Sequence, residues 1–188
     1  MPVQGGSMKS NYKYIVLCMF ILIATYIVAR FVATKTTVNG SSMYNTLEDG
    51  DRVIINKIAY TNSEPERFDI IVFKEDFSKN GYFIKRIIGL PGETIRIDLD
   101  GNIYIDGELL DEDYGYKRII DPGLAETEIT IGEDEYFVLG DNRNNSEDSR
   151  FPRVGNVKKD QIVGKVEIRY WPFIKFGYID LYKDKTEK

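Results

Sequence analysis

The sequence contains no histidine, one cysteine and one tryptophan in 188 residues. Without histidine, neither a Ser-His-Asp triad nor a Cys-His pair can be assembled. A single cysteine, Cys18, can form no disulfide within the chain and no Cys/His zinc cluster, so the fold stands on its apolar core, and no metal or cofactor is expected. A sortase, which combines a membrane anchor with a β-domain but needs Cys and His in that domain, is excluded. Acid is missing from the first 47 residues, which hold Lys9, Lys13, Arg30 and Lys35; they carry +4, and the total of -5 leaves -9 for the rest. An acidic domain repels phosphate, so no nucleic acid partner is expected.

Charge is also missing from Tyr14–Ala29, YIVLCMFILIATYIVA. Extended to Ala33, the run is long enough to span a bilayer, which takes roughly 20 residues, with Arg30 snorkelling to the interface. A cleavable signal is the rival reading, because Lys9 and Lys13 ahead of an apolar core resemble its first two parts. Cleavage needs small residues at the first and third positions before the cut, whereas Phe31 lies two before Ala33 and Ile27 two before Ala29. The chain therefore reads as residues 1–13 before the membrane, an anchor over 14–33, a domain over 36–182 and a charged tail over 183–188. Basic residues flank the anchor on both sides, so charge leaves its orientation open. The leading MPVQGGS carries no structural signal.

From Val38 onward, long segments of helical period are also missing. Short β-type runs separated by turn residues take their place: Arg52–Asn56, Ile70–Phe73, Tyr82–Ile88, Thr94–Leu99, Ile103–Ile105, Glu128–Ile131, Glu135–Leu139 and Val163–Tyr170. The fold class expected is mainly β, one N-terminal transmembrane helix followed by an all-β domain. Asp100-Gly101 and Asp106-Gly107 are hairpin turns that build a small ribbon between Thr94 and Leu110. GLPGE, residues 89–93, reads as a tight turn.

What remains for nucleophilic chemistry is serine and lysine. Ser42, in GSSMYNTL, follows a small-residue turn that can expose a hydroxyl and a backbone N–H together. Lys85 sits in the apolar run GYFIKRIIGL. Strand alternation puts Phe83, Lys85 and Ile87 on one face and Ile84, Arg86 and Ile88 on the other. A lysine at its ordinary pKa is neutral about once in 2,500 at pH 7, so a useful base needs a lowered pKa, which desolvation among apolar side chains supplies. The bland alternative is that both basic residues snorkel or pair with acids. VLGDNRNNSEDSR, residues 138–150, is too polar for a strand; it reads either as a solvated loop or as a rigid loop in which Asp-Arg pairs fix the backbone and a hydroxyl orients the amine.

SMYNTL, GDRVIINK, KRIIGLPGE and GDNRNNSEDSR, in this order behind an apolar span, resemble the bacterial type I signal peptidases, in a compact form without an inserted lobe. The resemblance implies a serine endopeptidase with a Ser-Lys dyad that removes signal peptides from exported preproteins. It makes Ser42 the nucleophile and Lys85 the general base, with Ser146 hydrogen-bonding the amine. Asp148 and Arg150 support the site, Asp141 and Arg143 are structural, and Val38, Ile84 and Met43 contact substrate. It implies a domain outside the membrane and, as partners, preprotein signal peptides, membrane lipid and the secretion translocon. Two positions depart from the pattern. Asn45 stands where the family has proline, and Gly40 stands where some members carry a serine that helps stabilise the oxyanion, which leaves more of that task to the Ser42 N–H. Tyr170-Trp171-Pro172-Phe173 is either an interfacial aromatic cluster or core. A self-cleaving Ser-Lys repressor protease has no use for a membrane span. A non-catalytic anchored β-domain that binds a cell-surface partner predicts no dependence on Ser42 or Lys85.

Overall fold

The computed structural model describes residues 8–75 and 81–179, without the side chains of 8–11 and 27–31. MPVQGGS and the tail 183–188 lie outside the described residues. Helix α1 covers Met8–Val32, starting earlier than the expected anchor and ending before Ala33, which opens a strand instead. Its large apolar side chains from Tyr12 to Tyr26 are exposed. Among the described residues, no helix is long and apolar enough to cross a membrane.

The rest is β, in two sheets. In chain order the strands are β1 (Ala33–Thr37), β2 (Arg52–Asn56), β3 (Ile70–Lys74), β4 (Tyr82–Gly89), β5 (Thr94–Ile97), β6 (Ile103–Ile105), β7 (Glu108–Leu109), β8 (Ile129–Thr130), β9 (Glu135–Leu139), β10 (Val157–Lys158), β11 (Ile162–Trp171) and β12 (Gly177–Tyr178). The large sheet runs β1-β2-β11-β3-β4-β9-β10, with β12 also on β11, and the small one runs β7-β6-β5-β8. The β5-β6-β7 ribbon forms where the turn residues place it. Gly101, and both Asp106 and Gly107, have positive φ, the last two as a type I′ hairpin requires. GLPGE is a turn, closed by Leu90 N–H on the Glu93 carboxylate at 2.8 Å.

Alternation holds where it matters. On one face of the large sheet, Ile71, Phe73, Ile87, Tyr136 and Val138 are buried together, with Phe83 against them. On the other, Val38, Met43, Leu47, Val53, Ile70 and Val72 pack with Ile84. A third cluster, including Ile88, Leu139, Ile95 and Ile97, joins the small sheet to the large one. Strand β4 pairs with β3 through its Tyr82–Arg86 half and with β9 through its Arg86–Gly89 half. Beside Lys85, β4 therefore has no strand on its β9 side, and the loop carrying Ser42 occupies the space.

Candidate active site

The nucleophile turn is built by its apolar residues. Met43 and Leu47, four apart, are buried on the large sheet, and Leu47 N–H bonds the Met43 carbonyl at 2.8 Å, closing one helical turn. Gly40 enters this turn at φ 91°, a region open to glycine. Its N–H donates to Asp49 at 2.7 Å. Ser42 is thereby lifted from the sheet, half-buried, over the unpaired end of β4.

Lys85 Nζ lies 2.7 Å from Ser42 Oγ. Residues 43 apart in sequence thus form a hydrogen-bonded pair, and the same separation serves a neutral amine receiving the hydroxyl proton. Lys85 is 3% exposed, packed beside the Phe83 ring. Burial pushes its ammonium down to about 8, against Asp148, Asp141 and Glu147, whose charges favour the protonated form. Desolvation dominates because none of these carboxylates forms an ion pair with the amine among the described residues.

Arg86, the next residue, is treated in the opposite way. It is fully buried, yet its guanidinium is satisfied on every side. Nε and Nη2 bind the Asp141 carboxylate at 2.9 and 2.7 Å, Nη1 binds the Phe68 carbonyl at 2.9 Å, and the Tyr114 ring lies 3.9 Å away. Thr46 Oγ1 donates to Asp141 at 2.5 Å, tying the nucleophile turn to the pair. The partner of Asp141 is therefore Arg86, in β4, and not an arginine of its own loop; Arg143 binds Glu112 at 2.7 and 3.0 Å. Asp148 and Arg150 do pair with each other, at 2.8 and 2.9 Å, and Asp148 also takes the Gly140 N–H at 3.1 Å. Arg150 fastens the loop further through the carbonyls of Asp121 and Arg143. The 140–150 loop is thus tied down by ion pairs, both within it and to residues outside it.

The expected hydrogen bond from Ser146 to the amine is not formed: Lys85 Nζ goes to Ser42, and the buried Ser146 Oγ has no hydrogen-bond partner among the described residues. Packing explains where Ser146 sits. Its side chain fills the space next to Gly140, where a Cβ would collide with Ser146 Oγ and would lie 2.5 Å from the Ser42 carbonyl. The two loops of the site touch at this glycine.

A groove of about 630 Å³ runs past the pair, between residues 36–43 and 81–85. Val38 and Ile84 both line it and share one apolar cluster, so Ile84, although it projects to the opposite face of β4 from Lys85, still reaches the groove. Met43 borders it but is 1% exposed, first of all a core residue. Arg86, Thr46, Asn142 and Asn145 are site residues that sequence reasoning missed. Arg86 was legible as a charge in an apolar run, but its partner, 55 positions away, was not.

The family model of signal peptidase, peptidase S26, matches residues 11–171. The chain belongs to this family. Signal peptidase IB of Staphylococcus aureus strain MRSA252 is 35% identical over an alignment of 185 positions that covers 90% of this chain and 94% of that protein. The probable signal peptidase I-2 of Synechocystis is 41% identical over 154 residues, 79% of this chain and 68% of that protein. A crystal structure of a signal peptidase I from Enterococcus faecalis V583 matches at 36% identity with a TM-score of 0.45, covering 55% of this chain and 97% of that one. The peptidase is thus a serine endopeptidase of signal peptides, and nothing supports the non-catalytic β-domain.

Proposed function

We propose that the peptidase cuts preprotein signal peptides with Ser42 as nucleophile and Lys85 as the only general base. The observation that carries this reading is the 2.7 Å contact between a hydroxyl and a buried amine whose pKa is lowered to about 8, in a chain without histidine. Neutral Lys85 takes the Ser42 proton as Oγ adds to the scissile carbonyl. The oxyanion faces the Ser42 N–H, and the ammonium returns its proton to the leaving amine. Lys85, neutral again, deprotonates the water that hydrolyses the ester and restores Ser42. Asp141, Arg143, Asp148 and Arg150 hold the loop against which the pair is set. Val38 and Ile84 wall a groove suited to small side chains at the first and third positions before the cut, with Met43 beneath it.

The membrane reading is also a proposal: an anchor over 14–33, residues 1–13 cytoplasmic, the domain outside, and lipid and the translocon as neighbours. It is supported by the charge-free Tyr14–Ala29 run and by the exposed apolar side chains of α1. At the sheet edge, Trp171, Phe173, Ile174, Phe176 and Tyr178 are exposed beside Lys175, a composition suited to an interface. Two measurements test the proposal. Incubating the full-length protein with a preprotein and weighing the products fixes the bond cut, and Ser42→Ala is expected to yield no product. Protease added to intact cells is expected to digest the domain; protection until lysis refutes the orientation.

A further inference from the structure

The nucleophile turn is held to the 140–150 loop by two asparagines. Asn142 N–H donates to the Ser42 carbonyl at 3.0 Å, and its side-chain amide donates to the Ser41 carbonyl at 3.1 Å. Asn145 Nδ2 donates to Ser41 Oγ at 2.8 Å. The Ser41 carbonyl also accepts Tyr44 N–H at 3.1 Å, so both of its lone pairs are engaged. The Ser41–Ser42 peptide is trans, and in a trans peptide C=O and N–H point in opposite directions. Fixing the Ser41 carbonyl on the asparagine side turns the Ser42 N–H away from that loop, and the N–H has no partner among the described residues. Gly40 offers no side-chain donor to share its task.

We propose that Asn142, assisted by Asn145, is a positioning residue for catalysis: it locks the Ser41–Ser42 peptide in the one orientation that presents the Ser42 N–H to the oxyanion. The inference rests on Ser42 being the nucleophile. Two asparagines that merely stitched loops together would affect stability alone. Residues that orient an oxyanion donor affect the transition state and leave ground-state binding untouched.

The test uses the full-length protein with Asn142→Asp, Asn142→Ala and Asn145→Ala, each checked for folding by thermal denaturation, and Ser42→Ala as reference. In Asn142→Asp the new carboxylate faces the Ser41 carbonyl and repels it. The expected result is a fall in kcat of about 100-fold, approaching the loss of one oxyanion donor, with KM within about twofold. Affinity for a peptide aldehyde ending in alanine, whose adduct with Ser42 bears the oxyanion, falls by the same factor. The pH midpoint of cleavage stays where Lys85 sets it, near 8. Asn142→Ala shows the same pattern at about tenfold, and Asn145→Ala a smaller loss. Unchanged kcat in a folded Asn142 variant, or loss of kcat with full aldehyde affinity, overturns the proposal. If Ser42→Ala is inactive while the Asn142 variants work normally, only this inference falls. If Ser42→Ala still cleaves, the nucleophile assignment fails and this inference with it.

Discussion

Lys85 and Arg86 are neighbours on one strand, equally deep in the protein, and they occupy opposite electrostatic worlds. The Lys85 face offers the cation an aromatic ring, a hydroxyl and, among the described residues, no salt bridge, so its proton is loosely held. The Arg86 face offers a bidentate carboxylate, a backbone carbonyl and a stacked ring, so its charge is fully compensated. Burial alone therefore does not decide how a buried cation is accommodated; the supply of partners and the chemistry of the side chain do. One face of β4 makes a reagent and the other makes a strut.

The comparison breaks first if the two cations are made alike. Lys85→Arg puts a group that cannot be deprotonated beside Ser42, and cleavage should fall by at least about 10⁴-fold in a folded protein, as read from product mass over long incubation. Substantial turnover in that variant refutes the dyad. In the wild type, kcat/KM should rise about tenfold per pH unit below the lysine pKa and level off above about 8.

The next effect is on stability. Arg86→Met leaves Asp141 buried and unpaired, and denaturant unfolding should show a loss of about 3–5 kcal/mol. Lys85→Met is expected to act in the reverse direction. The folded state holds the Lys85 ammonium below its ordinary value of 10.5, at about 8, so the charged form costs about 3 kcal/mol at pH 7 as an upper bound. Between pH 8 and 10.5 the unfolded chain binds the extra proton, so wild-type stability rises with pH there. The advantage of Lys85→Met should be largest below pH 8 and vanish towards 10.5. A destabilised Lys85→Met would show that the amine is better solvated than its surroundings suggest.

The smallest effect sharpens the picture of the turn. Asn45 is exposed, its φ is not positive and its N–H makes no hydrogen bond among the described residues. Asn45→Pro should therefore fit and add about 0.4–1 kcal/mol by stiffening the unfolded chain, with cleavage retained. Loss of cleavage in a well-folded variant would mean that the turn must flex during turnover.

Strands with a clear period were legible in the sequence. Arg52–Asn56, Ile103–Ile105 and Glu135–Leu139 appear with the bounds their residues suggested. β1 was hidden because ATKTT is polar and partly exposed at a sheet edge, and β7, β10 and β12 are two residues long, too short to show any period. In the site, the lack of histidine singled out Ser42 and Lys85. The asparagines of 140–150 gave no such signal, because an amide that orients a peptide looks, in sequence, like any loop amide. Ser146 shows the limit from the other side: its hydroxyl was legible as a polar group of the loop, but the atoms it meets were not.

Gly140 has a consequence of its own. Where it sits, the only thing separating the serine-bearing loop from the charged loop is a hydrogen atom, so the fold sets the distance between its two catalytic halves by the smallest spacer chemistry provides. Such a gauge has no tolerance on one side. Sequence change can loosen the charged loop elsewhere, by trimming an arginine or an asparagine, but any side chain at this position must push the halves apart. Anyone redesigning the enzyme should treat Gly140 as the fixed datum from which every other dimension of the site is measured.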